Sequence, residues 1–292
     1  MPPFLREDDQ HSVEVPMQVW LITGCSTGFG RVFAEAALAE GHAVVATARQ
    51  VESLEGLGAT APGRFLPLAL DVTDPAACHR AVQAAITRFG SLDVLVNNAG
   101  YGMVGALEES SSGEIRRLFE TNVFGLIEMT KAALPHMRTR KRGWIVNLSS
   151  IAGLAATPGF SVYNGSKFAV EGLSEALAGE VAPFGIRVLI VEPGPFRTDF
   201  AGRSIVHASP IADYKDAIAA TRRYVADADG HQAGDPERAA QAILDHIAQG
   251  RPELRMVLGK IAMSRMETKL KSLRAELDSG LERALGADYP LA

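Results

Sequence analysis

From Gln18 onward the chain alternates short apolar runs with longer segments of helical periodicity. Most of the apolar runs are continuous rather than alternating, as expected for strands that are covered on both faces. Strands are predicted at Gln18–Thr23, Ala43–Ala48, Phe65–Leu70, Leu92–Val96, Trp144–Ser149 and Ile186–Glu192, with a weaker candidate at Leu254–Leu258. Helices are predicted near Gly30–Glu40, Asp74–Phe89, Glu114–Met137 and Tyr163–Val181.

This alternation predicts an α/β fold with a doubly wound parallel sheet of the Rossmann type. Neither a linker nor an internal repeat divides the chain, so residues 17–292 are expected to form a single domain. Residues 195–234 break the strand–helix rhythm and are interpreted as a substrate lid. Residues 1–16 are polar and lack the apolar middle of a signal peptide, so they are expected to be a disordered tail.

The end of the chain, at residues 260–285, shows the periodicity of one amphipathic helix. Its apolar positions recur at helical spacing, at Met266, Leu270, Leu273, Leu277 and Leu281. We expect this face to pack on the helix's own domain rather than on a partner.

Composition narrows the function classes. Hydrophobic residues make up 47% and charged residues 22% of the 292 positions, enough for a sizeable core. The net charge of -5 provides no basic field for nucleic acid or an anionic membrane, and no apolar run has the length of a membrane span. Cys25 and Cys78 form no C-x-x-C pair, and the seven histidines lack metal-ligand spacing. We therefore expect a cytoplasmic protein that binds no metal, nucleic acid or membrane.

A glycine-rich turn, Thr23-Gly24-Cys25-Ser26-Thr27-Gly28-Phe29-Gly30, joins the first predicted strand to the first helix. Glycines allow a tight turn and let the backbone approach a pyrophosphate, which binds at a helix N-terminus. The spacing is G-x-x-x-G-x-G rather than the G-x-G-x-x-G of longer dehydrogenases. Dinucleotide binding is predicted here, through Gly24, Ser26, Thr27, Gly28, Phe29 and Gly30.

The same turn offers an alternative interpretation. Gly24-Cys25-Ser26-Thr27-Gly28 also fits G-x-S-x-G, the turn that carries the nucleophile of serine hydrolases. A hydrolase would use Ser26 with an acid and a histidine from later loops. This hypothesis leaves Gly30 and the remaining motifs unexplained.

The end of the second strand indicates which dinucleotide is bound. An acidic residue there would bind the ribose hydroxyls of NAD and repel a 2′-phosphate. Here Ala48 is followed by Arg49, whose guanidinium could bind that phosphate, so NADP is predicted and NAD is the less favoured cofactor. Arg49 could also be an ordinary surface arginine. Asp71 and Val72, after the third strand, are predicted to meet the adenine, although Asp71 could equally shape the turn.

Tyr163 and Lys167 lie four residues apart on a predicted helix and therefore share one face. A free tyrosine has a pKa near ~10, too high for proton exchange at neutral pH. A lysine ammonium about 4 Å from the phenolate would supply around 4 kcal/mol at an effective dielectric of about 20, which would bring that pKa close to neutrality. The pair is a candidate acid/base, although the spacing alone also fits an ordinary helix surface.

Two further polar residues accompany this pair. Ser150 follows a buried-type strand, where its hydroxyl could bond a substrate oxygen or simply shape a turn. Asn122 lies on the apolar stripe of Glu114–Met137 and needs a buried partner. It either forms an internal hydrogen bond that fixes helix packing or reaches Lys167 through a water and completes a proton path.

Together these motifs resemble the short-chain dehydrogenase/reductase family. The glycine turn, Asn97-Asn98-Ala99-Gly100, Asn122, Ser150, Tyr163-x-x-x-Lys167 and Pro193-Gly194 occur in the family's order over about residues 18–200. The resemblance implies that Tyr163 is the general acid/base and that Lys167 binds the nicotinamide ribose and lowers the tyrosine pKa. It implies that Ser150 holds the carbonyl oxygen and that Asn122 joins the relay.

The resemblance also implies a cofactor pocket and an assembly. Asn98, Ala99 and Gly100 would support the pocket, and Pro193, Gly194, Phe196 and Thr198 would contact the nicotinamide end. Thr27 stands where strong NADP binders carry a basic residue, and Gly165 replaces a frequent alanine between Tyr163 and Lys167. Helices Glu114–Met137 and Tyr163–Val181 resemble those through which the family dimerises, so a homodimer or homotetramer is implied.

The side chains expected to face the substrate are mostly apolar: Tyr101, Met103, Leu154, Phe160, Phe196, Phe200 and Ile205. They predict a lipophilic small molecule, a ketone, aldehyde or secondary alcohol. An NADP-dependent carbonyl reductase is therefore expected, since cellular NADP is mostly reduced. Two further hypotheses stay open, a catalytically silent NADP-binding regulator and a double-bond reductase on the same fold.

Overall fold

The computed structural model describes residues 16–289, and 15 of the 16 residues of the expected tail lie outside this range. A seven-stranded parallel sheet forms its centre, with strand order β3-β2-β1-β4-β6-β7-β9. These strands are β1 (Val19–Ile22), β2 (Ala43–Ala48), β3 (Phe65–Ala69), β4 (Val94–Asn97), β6 (Gly143–Leu148), β7 (Ile186–Pro193) and β9 (Arg255–Leu258). A separate two-stranded sheet pairs β5 (Gly102–Val104) with β8 (Ile205–His207) in parallel.

Helices cover both faces of the large sheet. They are α1 (Gly28–Ala39), α2 (Pro75–Phe89), α3 (Ser112–Phe119), α4 (Gly125–Arg140), α5 (Ser161–Val181), α6 (Ala219–Ala228), α7 (Pro236–Ala248) and α8 (Lys260–Leu285). Helix α2 begins where its sequence predicts, since Asp74 accepts a hydrogen bond from the amide of Ala76 and proline takes the first helical position. The predicted doubly wound α/β fold is confirmed.

Two hydrophobic layers enclose the sheet, and β1 contributes to both. Trp20 and Ile22 pack with Phe33 of α1 and Ile243 of α7, whereas Leu21 points into the layer formed by α2 and α4. Alternate residues of a strand point to opposite faces, so a strand buried on both sides must be apolar at every position. This explains the continuous apolar runs in the sequence.

The predicted helix Glu114–Met137 is two helices joined by a π-helical turn at Glu120–Phe124. A π-turn adds one residue to a helical turn, and such turns occur often at functional sites. Asn122 lies inside it and is buried. The apolar periodicity continues through the turn, which is why the sequence pattern predicts a single helix.

Helix α8 exists as predicted, but its apolar face does not pack on its own domain. Ala262 in the first turn is fully buried, whereas Leu270, Leu277 and Leu285 are 57%, 68% and 67% exposed. The expectation that this face is covered by the helix's own domain is therefore wrong. Among residues 16–289, no helix combines the length and the apolar character needed to cross a membrane.

Candidate active site

A pocket of about 1230 Å³ opens at the carboxyl ends of the sheet strands. It lies where the strand order reverses between β1 and β4, the position at which doubly wound sheets bind their ligands. Most of the predicted site residues line it: Gly24, Ser26, Thr27, Gly28, Phe29, Arg49, Asp71, Val72, Asn98, Gly100, Ser150, Tyr163, Lys167, Pro193, Gly194, Phe196 and Thr198. Gly30, Ala99 and Asn122 lie behind the wall.

The glycine turn has the geometry that a pyrophosphate cradle requires. Gly24 and Gly28 have φ values of 72° and 58°, in the left-handed region that favours glycine. A Cβ on Gly30 would lie 2.3 Å from the carbonyl oxygen of Gly24, so only glycine allows helix α1 to begin this close to the strand. The start of α1 is thereby left open to the pocket, and the residues present fit a dinucleotide.

Hydrogen bonds lock this turn to the end of β4. The hydroxyl of Thr23 accepts from the amides of Asn98 and Ala99, each at 2.9 Å. The side-chain amide of Asn98 donates to the carbonyl oxygens of Thr23 and Gly24 at 2.8 and 3.0 Å. Ala99 therefore supports the cradle through its backbone, without forming part of the pocket wall.

Two arginines line the pocket near Tyr101. Arg49, directly after β2, lines the pocket and is exposed. Arg117 of α3 lines the same pocket, and both guanidinium groups act on the nearby Tyr101 phenol to lower its pKa, although burial raises it more. Sequence reasoning missed Arg117 because nothing in the helical pattern of α3 distinguishes it from a surface arginine. Asp71 accepts hydrogen bonds from the amide and hydroxyl of Thr73, so it shapes its turn while lining the pocket.

Ser150 and Tyr163 meet at the opposite end of the pocket. Ser150 follows β6, and its hydroxyl accepts from the amide of Ala152 at 3.1 Å. The Tyr163 ring lies between Phe160 and Phe200, with centroid distances of 5.9 and 5.5 Å. Burial raises the pKa of Tyr163 to about 12, while the neighbouring Ser150 hydroxyl acts in the lowering direction.

Lys167 lies one turn beyond Tyr163 on α5, but its ammonium is directed elsewhere. Nζ donates to the carbonyl oxygen of Leu148 at 2.7 Å and lies 5.9 Å from the centroid of the tyrosine ring. Burial lowers the pKa of Lys167 to about 8, and Glu171 opposes that shift. Burial therefore outweighs the lowering of the Tyr163 pKa by Ser150, and the role expected of Lys167 stays a prediction.

Asn122 is held by direct hydrogen bonds. Its amide nitrogen donates to the carbonyl oxygen of Tyr101 at 2.9 Å and to the Ser166 hydroxyl at 3.2 Å, and its oxygen accepts from the Tyr101 amide at 3.0 Å. These contacts are the internal hydrogen bonds of the packing interpretation, and the water-bridged path to Lys167 stays a prediction. The contacts fix Tyr101 and α5 relative to each other through the π-turn.

A buried acidic cluster lies behind the lysine. Glu171 and Glu192 are buried and face the guanidinium of Arg255, whose Nε is 3.3 Å from an oxygen of each. Burial and the charge of Glu171 raise the pKa of Glu192 to about 8. The sequence gives little sign of this cluster, because its members come from α5, β7 and β9.

The substrate end of the pocket is largely apolar, as predicted. Five of the seven side chains expected there line it: Tyr101, Phe160, Phe196, Phe200 and Ile205. Met103 is 2% exposed and belongs to a hydrophobic cluster with Leu118, so its expected place in the pocket is wrong. Leu154 does not line the pocket either.

The carboxyl-terminal part of the chain adds wall residues that sequence reasoning missed. Tyr224 of α6 and Ile261 and Arg265 of α8 line the pocket. Arg265 donates to the carbonyl oxygen of Ala155 and, at 2.7 Å, to the Thr157 hydroxyl. The irregular rhythm of this region hides which of its residues face inward.

Within residues 16–289 the structure lacks the side-chain arrangements that a serine hydrolase or a metal site would need. Ser26 forms no hydrogen bond with a histidine within residues 16–289, as a serine hydrolase would require. In the same range no group of three or more His, Cys, Asp or Glu side chains could hold a metal ion.

Comparisons with known proteins agree with this geometry. The sequence profile described as "short chain dehydrogenase" matches residues 18–207. The chain is 39% identical to a 3-ketodihydrosphingosine reductase of Bacteroides thetaiotaomicron, over 84% of this chain and 88% of that protein. It is 38% identical to human retinol dehydrogenase 8, over 80% of this chain and 79% of that protein.

Two solved structures are similar over nearly their whole length. A short-chain dehydrogenase from Streptomyces avermitilis has a TM-score of 0.87 at 44% identity, covering 93% of this chain and 100% of that chain. A short-chain dehydrogenase/reductase from Burkholderia phymatum, solved with NAD, has a TM-score of 0.77 at 25% identity, covering 96% and 99%.

Proposed function

The chain belongs to the short chain dehydrogenase family of oxidoreductases, and from that premise we propose that it is an NADP-dependent carbonyl reductase. Its substrate is a lipophilic ketone or aldehyde, which it reduces to an alcohol. The observation that carries the proposal is the meeting of Ser150 and Tyr163 at the apolar end of a pocket whose other end holds the glycine cradle and Arg49. The bound nicotinamide would donate the hydride to the carbonyl carbon.

Tyr163 supplies the proton in this proposal. Because burial raises its pKa to about 12, the phenol is protonated at neutral pH and can donate to a carbonyl oxygen that gains negative charge. Ser150, beside it, would donate a second hydrogen bond to the same oxygen. Lys167 would bind the nicotinamide ribose, and its positive charge would favour the phenolate that remains after proton transfer.

The preference for NADP rests on the residues after β2. Arg49 lies in the pocket wall without an acidic neighbour at the strand end, and Arg117 supplies a second guanidinium on the same side. Guanidinium groups bind phosphate bidentately, whereas NAD presents only hydroxyls there.

Fluorescence titration with NADPH and with NADH tests this preference. Arg49→Ala is expected to weaken NADPH binding by about 10- to 100-fold, as loss of a charged hydrogen bond implies, and to leave NADH binding nearly unchanged. Arg80→Ala, an exposed arginine on α2 outside the pocket, is the matched control. Tighter binding of NADH than of NADPH by the unmodified protein would contradict the NADP proposal and leave the oxidoreductase intact.

The substrate class is proposed from the wall of the pocket. Phe160 and Phe200 flank Tyr163, and Ile205 packs with them. Two relatives are named for 3-ketodihydrosphingosine and retinol, both lipophilic molecules. We expect kcat/KM with NADPH to rise along a series of ketones with longer alkyl or aryl substituents. A flat series would contradict the lipophilic substrate.

Residues 195–234 form the lid in this proposal, because Phe200, Ile205, Tyr224 and Val225 line the pocket from that segment.

Dimerisation through α4 and α5 is proposed as well, since Phe124, Phe168 and Leu173 beside and on these helices are 50%, 44% and 41% exposed. A cytoplasmic location is consistent with two free, buried cysteines.

A further inference from the structure

Helix α8 is attached to the domain only by its first two turns. Ala262 is fully buried, and Arg265 is bonded to Ala155 and Thr157. The 26 residues of the helix span about 39 Å at 1.5 Å per residue, and from Glu267 onward most side chains are exposed. About three-quarters of α8 therefore projects from the body without an element of residues 16–289 packed along it.

A continuous apolar seam runs from the attached turns of α8 into this projecting part. Met263, Met266, Leu270, Leu273 and Leu277 follow one another at alternating intervals of three and four residues. This is the heptad spacing of residues that form the seam between two coiled helices. Met263, Leu270 and Leu277 are 46%, 57% and 68% exposed, and an exposed apolar row of this length marks an interaction surface.

The charges beside the seam define what can cover it. Glu267 and Arg274 flank the seam on one side, and Lys269 and Glu276 flank it on the other. In an antiparallel pair of α8 helices centred between residues 271 and 272, the same side of each helix faces its counterpart. Glu267 of one copy then meets Arg274 of the other, and Lys269 meets Glu276, so all four pairs across the interface are attractive.

The same register also matches the apolar side chains. Leu270 opposes Leu273 of the second copy, and Met266 opposes its Leu277. A parallel pair is disfavoured, because its flanking contacts bring Lys269 of one copy to Arg274 of the other, and like charges repel. The seam is thus self-complementary in the antiparallel orientation and self-repelling in the parallel one.

We propose that α8 pairs with the α8 of a second copy of this chain as an antiparallel two-helix coiled coil, with Leu270 against Leu273 at its centre. The pairing is separate from the dimer proposed through α4 and α5. In this arrangement the end of each α8, with Leu281 and Leu285, reaches the body of the other copy near the start of its α8. The occupant of the exposed seam is therefore the protein itself.

Disulfide trapping tests the geometry. In the double variant Met266→Cys/Leu277→Cys, the two cysteines lie about 16 Å apart on one helix, too far to bond within a chain. In the antiparallel pair each faces the other cysteine of the second copy, so mild oxidation should convert most of the protein to a covalent dimer. Cys25 and Cys78 are buried and do not compete.

The single variants distinguish the orientations. Met266→Cys alone has no cysteine opposite it in the antiparallel pair and should stay monomeric on non-reducing gels. A covalent dimer of this single variant would instead indicate a parallel pair and overturn the proposal. Absence of a covalent dimer in the double variant would also overturn the proposal. The seam would then contact something other than a second α8, such as residues 1–15 or a lipid surface.

Charge exchange provides an independent test by sedimentation. Arg274→Glu places two glutamates opposite each other in both flanking contacts with Glu267, and it should weaken α8 association by about tenfold, since these pairs become repulsive. Glu267→Arg should act likewise, whereas a mixture of the two variants should associate normally. Lys271→Glu, which alters the solvent-facing side by the same charge, is the matched control. Stronger association of Arg274→Glu would contradict the proposal, because only a parallel pair gains from that change.

Discussion

The glycine cradle and residues 195–234, the proposed lid, are attached to the rest of the fold in different ways. In the cradle, Thr23, Gly24 and Asn98 are held together by partly buried hydrogen bonds that join the turn after β1 to the end of β4. The proposed lid is attached through the pairing of β8 with β5, outside the large sheet, and through side-chain contacts such as Arg222 to Glu109 and Thr221 to the carbonyl oxygen of Pro158. A cradle bonded directly to the central strands and a proposed lid attached outside the large sheet would suit a site that binds one ligand in a fixed pose and exchanges another.

The largest effect is expected from removing the proton donor at the boundary of the two regions. Tyr163→Phe deletes the phenolic hydroxyl and should lower kcat by about 10²- to 10⁴-fold, the usual contribution of general acid catalysis. Binding of NADPH should be retained. Steady-state rates with a lipophilic ketone measure the effect, and Tyr101→Phe, in the same pocket, is the control. Near-normal activity of Tyr163→Phe would mean that another group donates the proton.

The next largest effect concerns the attachment of the lid. Arg222→Met leaves the carboxylate of Glu109, which is 5% exposed, without its guanidinium partner. The free energy of unfolding should fall by on the order of 3 kcal/mol, and limited proteolysis within residues 195–234 should become faster. Arg223→Met, an exposed neighbour on α6, should change neither. Equal effects of both variants would contradict the role of the ion pair.

This contact also gives the lid a pH dependence. The bonds from Ile211, Ala106 and Arg222 lower the pKa of Glu109, although burial opposes them. A carboxyl with a lowered pKa in the folded protein stabilises it fully above the ordinary carboxyl pKa and loses that contribution as the pH falls. Proteolysis of the lid by an acid-active protease should therefore accelerate at acidic pH in the unmodified protein more than in Arg222→Met.

The cradle should respond to a single added methyl group. In Gly30→Ala the Cβ would lie 2.3 Å from the carbonyl oxygen of Gly24, so we expect a loss of stability of about 1–3 kcal/mol and weaker binding of NADPH. Gly179→Ala adds the same group to an open position on α5 and should stabilise the protein by about 0.5–1 kcal/mol. Thermal unfolding of the two variants gives the comparison, and similar changes in both would contradict it.

A further pH effect concerns the acidic cluster behind Lys167. The pKa of Glu192 is raised to about 8, so the folded protein holds a proton there that the unfolded chain releases near 4.5. Stability should therefore decrease as the pH rises from about 5 to 8. Glu192→Gln should make this decrease smaller, so the Tm of the variant at pH 9 should be higher than that of the unmodified protein. Glu180→Gln, on the exposed face of α5, should follow the unmodified protein.

The first two hundred residues were largely predictable from the sequence. Continuous apolar runs indicated the strands, and the glycine turn together with Tyr163 and Lys167 indicated the pocket, because each depends on local chain geometry. The π-turn at Asn122 was not predictable, since its apolar periodicity matches that of an ordinary helix. The direction of the Lys167 ammonium depends on the carbonyl oxygen of Leu148, a contact between distant segments that no local pattern records.

The later region was harder to predict for physical reasons as well. Strands β5 and β8 have three residues each, too few for a period to be recognised. The wall positions of Tyr224 and Arg265 follow from how α6 and α8 dock, which the sequence does not specify. The periodicity of α8 identified its apolar face correctly but could not tell whether that face meets its own domain.

Arg265 has a consequence for how the pocket could be adjusted. It lies in the attached end of α8, bonded to Ala155 and Thr157, while the rest of the same helix extends into solvent. A continuous helix is stiff over this length, so a small rotation of its outer part turns the attached end as well. A contact that reorients the projecting part of α8 would therefore also move Arg265 and the pocket wall beside it, several helical turns away.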